Sequence, residues 1–147
     1  GYYLRSAPKP STVLLPPKRR TYQMFVNPQL FNETFGPSRA AMHSIITHEL
    51  NHILDYTHMN LTALADFGIH YALNYTFLVW YEHETDHRVL ELGLGEGLKE
   101  YREWIYTVLN STELHTKRIE YYTPLQIVAW IDQNPGLYVN PCYDYSW

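Results

Sequence analysis

Hydrophobic positions recur at spacings of three and four residues over most of this chain, and only its first quarter breaks that rhythm. There, prolines at 8, 10, 16 and 17 fix their own φ and push the preceding residues toward extended geometry. Residues 1–20 therefore read as a Pro-rich extended arm or first strand. β-favouring residues gather at 12–15 and at 20–26, on either side of Pro16-Pro17-Lys18-Arg19, and predict two short strands that pair or lie as neighbours. Thr21-Tyr22-Gln23-Met24-Phe25-Val26 is the better strand of the two.

A loop rich in Asn, Pro and Gly follows at 27–37, and Gly36-Pro37-Ser38 supplies start signals for a helix reaching about residue 56. Helical spacing resumes at Thr62 and persists to about residue 92, which predicts one long second helix ended by the glycines at 93–97. A third helix is expected over 98–109. Thr123-Pro124-Leu125-Gln126 has the form of a capping box with Pro at the first helical position, opening a fourth helix that stops before Pro135-Gly136. The class is α+β: a single domain over 1–147, mainly helical, with a small N-terminal sheet.

Composition narrows the functions open to such a domain. The net charge is −4 and the eleven Lys and Arg are scattered apart from 18–20, so no basic face for nucleic acid is expected. The longest apolar stretch, 71–81, is interrupted by Asn74 and is too short to span a bilayer. Cys142 is the only cysteine, which rules out a disulfide within the chain and a cysteine-based zinc cluster, so a metal here must use His and carboxylate. Asn-x-Thr patterns at Asn32, Asn60, Asn74 and Asn110, with a start at Gly1 that suits a processed or truncated chain, lean toward a secreted or extracytoplasmic protein. The plainer reading is that these Asn sit at turns and helix caps.

The chemistry concentrates in His48-Glu49-Leu50-Asn51-His52. Two His four residues apart lie on one helix face about 6 Å apart along the axis, and both can reach one cation. Glu49, one step round, can contact a water beside that cation and act as general base. The bland alternative is a pair of partly buried His satisfied by ordinary hydrogen bonds. A catalytic zinc takes three protein ligands, and three residues compete for the last place. Glu82 lies on a stripe, Gly68, Ala72, Tyr75, Val79, Glu82, Asp86, Val89 and Gly93, that is small or apolar except at its two acids. The opposite stripe, His70, Asn74, Tyr81, Glu84, Arg88 and Glu91, is polar. Asp86 would then accept the free N–H of a ligand His and fix its tautomer. His58 completes the spacing HExxHxxxxxH of the metzincins, but Asp55 stands where that pattern has Gly, and no Met follows Met59 to form the Met-turn. Asp55 itself lies too far along the helix to ligate, and a supporting or solvent role suits it better.

On these residues the chain resembles the gluzincins, in which an HExxH helix is followed by a helix contributing Glu. Glu82-x-x-Thr85-Asp86 is similar to the ExxxD element of the CAAX-protease-like branch, and the size and order of elements resemble the minigluzincins. The motifs cover 20–93, about half the chain. The resemblance implies a zincin-like fold, Zn2+ on His48, His52 and Glu82, Glu49 as general base, a peptide or protein substrate, and an edge strand that binds it by strand addition, with 21–26 as the candidate edge. An oxyanion donor is also needed, and His83, His87, Tyr101, Arg102 and Arg118 are the candidates. The competing expectation is a catalytically silent zincin-like module for binding or structure, whose metal site would be closed by protein.

Overall fold

The computed structural model describes residues 3–32 and 34–138, so Cys142 lies outside the described residues. Leu4–Pro8 (β1) pairs antiparallel with Tyr22–Val26 (β2), in a register running from Leu4 opposite Val26 to Pro8 opposite Tyr22. The better predicted strand is thus present, but its partner is not 12–15, which lies beyond a 3-10 turn at Pro10–Thr12. Leu4 decides the matter by burying its side chain against Ala41, Ile45, Tyr101 and Ile105. The predicted strand at 12–15 has no such anchor, and Leu14 and Leu15 are exposed.

Arg39–His58 (α1) begins at Ser38, whose hydroxyl accepts from the Ala41 N–H, and it carries the HExxH residues on its buried face. The long second helix of the sequence reading is two helices, Leu61–Leu73 (α2) and Tyr75–Glu91 (α3). Asn74 divides them. Its φ of −115° and ψ of 96° leave the helical region, and its side chain accepts from the Phe77 N–H to start α3. The proposed stripe fails accordingly at its N-terminal end, where Ala72 and Tyr75 are exposed, and holds within α3, where Glu82, Asp86 and Val89 are buried. Tyr81, assigned to the polar stripe, is buried as well.

Gly93, with φ of 78°, turns the chain after α3 into Gly95–Val108 (α4). The close approach of α4 to α1 depends on Gly97, where any Cβ would collide with the Ala40 carbonyl oxygen and the Ser44 hydroxyl. That hydroxyl donates to the Leu94 carbonyl at 2.9 Å and ties the two helices. Ser111–Glu120 (α5) was not expected. It opens on a capping box between Asn110 and Glu113. Pro124–Gln133 (α6) starts with the predicted Thr123–Gln126 box, and its Ile127 closes a second core with Val89, Leu90, Leu94 and Leu98. No described helix is long and apolar enough to cross a membrane.

Candidate metal centre

α1 and α3 pack side by side and turn their polar residues toward each other. His48, Glu49 and His52 form a buried group whose donor atoms all lie within 4.8 Å of one another, and this group could hold a metal ion. A tighter convergence includes α3. His48 Nε2 is 3.1 Å from His52 Nε2 and 3.1 Å from Glu82 Oε2, and His52 Nε2 is 3.4 Å from the same oxygen.

The far side of each ring is held. His48 Nδ1 lies 2.8 Å from Asp86 Oδ1, and Asp86 also accepts from Arg102 Nη2 at 2.8 and 3.0 Å and from the Tyr122 N–H at 2.9 Å. His52 Nδ1 lies 3.0 Å from the Tyr81 hydroxyl, which donates to Asp55, and Asp55 accepts two further hydrogen bonds from Arg88. With acceptors on both Nδ1 atoms, each neutral ring keeps its proton there and points an Nε2 lone pair at the common centre. The Tyr71 hydroxyl donates to Glu82 Oε1, leaving Oε2 to face the imidazoles.

Charge follows the same plan. Burial opposes ionisation of Glu82, but the His48 and His52 rings outweigh it and hold the carboxyl well below the usual range. Burial likewise opposes the Asp86 charge and is overcome by Arg102, His48 and the Tyr122 N–H, which lower its pKa. His48 is disfavoured as a cation by burial, yet Asp86 and Glu82 on either side raise it to about 9. In the metal-free protein the His48 proton bridges these groups, and once it leaves, two imidazole nitrogens and a carboxylate oxygen at these separations form a donor set that could hold a metal ion.

Glu49 is placed differently. It is buried against the centre, but no hydrogen bond or ion pair engages its carboxylate among the described residues. It lines a cleft of about 270 Å³ together with His52, Glu82, Tyr121 and residues 4–7 of β1. The strand bordering the cleft is therefore β1 rather than 21–26. The Lys9 N–H bonds the Thr21 carbonyl and the Asn27 N–H bonds the Tyr3 carbonyl, so the odd positions of β1 face β2. Leu4 and Ser6 turn their N–H and C=O groups to the other edge, which no strand pairs with among the described residues.

Of the remaining candidates, Tyr101 and Arg102 lie at this centre, whereas His58, His83, His87 and Arg118 have their partners elsewhere. His58 is exposed at the end of an unbroken α1, with Nδ1 2.8 Å from the Leu54 carbonyl. His83 reaches the Ile119 carbonyl, His87 packs on Trp130, and Arg118 lies over Tyr106. Arg102 is committed to Asp86. Tyr101 is buried beside Glu49 in a small cavity of about 50 Å³. Sequence reasoning missed Tyr71, Tyr81 and Tyr121. Tyr121 ends α5 with its ring 5.8 Å from that of His48, and burial, then the Glu82 charge, raise its hydroxyl pKa well above the usual value, so it remains a donor.

All four Asn of the Asn-x-Thr patterns act as caps or turn acceptors: Asn32 for Thr34 and Phe35, Asn60 for Ala63, Asn74 for Phe77, and Asn110 for Thr112 and Glu113. Compared with known proteins, the chain matches no family model, no curated protein and no solved structure.

Proposed function

We propose that this chain is a zinc-dependent endopeptidase of gluzincin type, with His48, His52 and Glu82 as ligands and Glu49 as general base. The observation that carries the reading is the triangle of His48 Nε2, His52 Nε2 and Glu82 Oε2, with sides of 3.1, 3.1 and 3.4 Å. Tetrahedral zinc with N and O ligands at 2.0–2.1 Å requires donors roughly 3.3–3.4 Å apart. When bound, zinc supplies a Lewis acid that acidifies water and polarises a carbonyl. Asp86 and Tyr81 hold the two imidazoles in the ligating tautomer, and Tyr71 orients Glu82.

The Glu49 carboxylate, which no hydrogen bond or ion pair engages among the described residues, accepts the proton of the attacking water and returns it to the leaving nitrogen. A peptide laid along β1 bonds the N–H and C=O of Leu4 and Ser6 and passes its scissile carbonyl over Glu49. The Tyr121 hydroxyl donates to the oxygen that gains charge. Arg102, a candidate for that task by sequence, supports His48 through Asp86 instead.

Metal analysis and cleavage of a mixed peptide library, run on wild type and Glu49→Gln, test the proposal. About one zinc per chain in both proteins, with cleavage by the wild type alone, is the expected result. Cleavage retained in Glu49→Gln removes the assigned base, and a zinc-loaded wild type that cleaves nothing returns the chain to a binding or structural module.

A further inference from the structure

Gly68 sits in the interior of α2, where glycine costs a helix about 1 kcal/mol relative to alanine. Packing does not require it: a Cβ added there meets nothing within 4 Å, and its backbone is ordinary helix. What lies over Gly68 is an apolar groove of about 410 Å³ whose walls include Pro8, Tyr56, Leu64, Phe67 and Tyr71. Tyr56 and Tyr71 also wall the cleft at the metal centre, so the groove adjoins the cleft at these two side chains. Pro8 has no N–H and closes the run of free-edge groups on β1, so a peptide paired with Leu4 and Ser6 leaves the strand at Pro8 and passes over the groove. None of the residues of α2 is buried, although Leu64 and Phe67 turn apolar surface into the groove.

We propose that this groove is a substrate subsite that selects a large apolar side chain at one fixed position, separated from the cleaved bond by the length of peptide that β1 holds, and that Gly68 keeps it open. The inference rests on the peptidase reading for its cleavage readout but not for its binding readout. The groove offers aromatic and aliphatic walls, and among the residues lining it there is no charged side chain, so the occupant is Leu, Ile, Phe or Trp rather than a polar residue.

The test uses Gly68→Trp, which fills the groove from a position with open space around it, and Ala65→Trp, which loads an equally exposed position of α2 outside the groove. Circular dichroism checks that both retain the fold. Paired peptides carrying Phe or Ala at each position in turn are assayed for cleavage by zinc-loaded protein and for binding to zinc-loaded Glu49→Gln. Wild type and Ala65→Trp should prefer Phe at one position by about tenfold or more, the range a single apolar subsite delivers. Gly68→Trp should abolish that ratio. An unchanged ratio in Gly68→Trp, or a wild type without positional preference, overturns the subsite while the peptidase stands. Absence of cleavage with Phe-selective binding that Gly68→Trp removes overturns the peptidase and keeps the subsite. Absence of both overturns both.

Discussion

The His52 Nδ1 atom lies 3.0 Å from the Tyr81 hydroxyl, and because that hydroxyl gives its own proton to Asp55, its oxygen is left to accept from the ring. A phenol thus does for His52 what a carboxylate does for His48. Tyr81→Phe removes the acceptor and leaves Asp55 paired with Arg88. Zinc affinity should fall about 10- to 100-fold, the usual effect of losing the partner of a ligand His. Competition with a chromophoric chelator measures it, and an affinity equal to wild type would show that Tyr81 does not set the tautomer.

Asp86 and Arg102 form a salt bridge with both side chains almost fully buried. Removing one partner of such a pair strands the other, at a cost of about 3–5 kcal/mol. Urea denaturation of metal-free Arg102→Met should register that loss. A change below about 1 kcal/mol would mean that the Tyr122 N–H and His48 alone suffice to hold the Asp86 charge.

The raised pKa of His48 has two consequences of opposite sign. In the metal-free protein its folded value of about 9 exceeds the unfolded value of 6.5. The stabilisation is therefore fully present below pH 6.5 and is lost as pH rises through about 9. Metal binding must displace the same proton, so apparent zinc affinity should climb with pH, by about one decade per unit, until it levels near 9. Calorimetric titrations in buffers of different ionisation enthalpy count the protons released, and a pH-independent affinity between pH 7 and 8.5 would contradict the coupling of His48 to Asp86 and Glu82.

Tyr121→Phe keeps the ring beside His48 and deletes only the hydroxyl. On the proposed mechanism kcat should drop about 10²- to 10³-fold with KM and zinc content little changed, as for loss of one oxyanion donor. Steady-state kinetics on a single peptide decide it, since a fall confined to KM would assign Tyr121 to substrate binding instead.

The part of the centre that was legible from the sequence is the part set by helical spacing. His48 and His52 share a face because they are four apart, and Glu82 and Asp86 share one for the same reason. The break at Asn74 was less visible, because the residues on both sides keep an apolar pattern and only the capping side chain marks the boundary. Asn110 and Glu113 carry a readable capping box, but α5 behind it has no buried residue and so no apolar stripe to mark a helix. Within the extended arm or first strand expected over 1–20, the bounds of β1 were hidden because Leu-Arg-Ser-Ala-Pro holds no β-branched residue, and its place is fixed by the burial of Leu4 and by pairing with β2. Tyr71 and Tyr81 reach the centre from α2 and α3 through their hydroxyls, and Tyr121, just after α5, brings its ring beside His48, a convergence that no one-dimensional spacing encodes.

Arg20, the last residue of the short basic run, is buried, and its guanidinium donates to the carbonyls of Val13 and Leu15 in the β1–β2 connection and of Met59 at the end of α1. Tyr22 adds a hydrogen bond to the Tyr56 carbonyl. The long connection is thereby moored to the helix that bears the HExxH residues, and β1 cannot drift from α1 without exposing a buried cation. The height of the cleft is thus settled as the chain folds. On the proposed function, a wall ordered during folding leaves most of the entropy lost on association to the incoming chain.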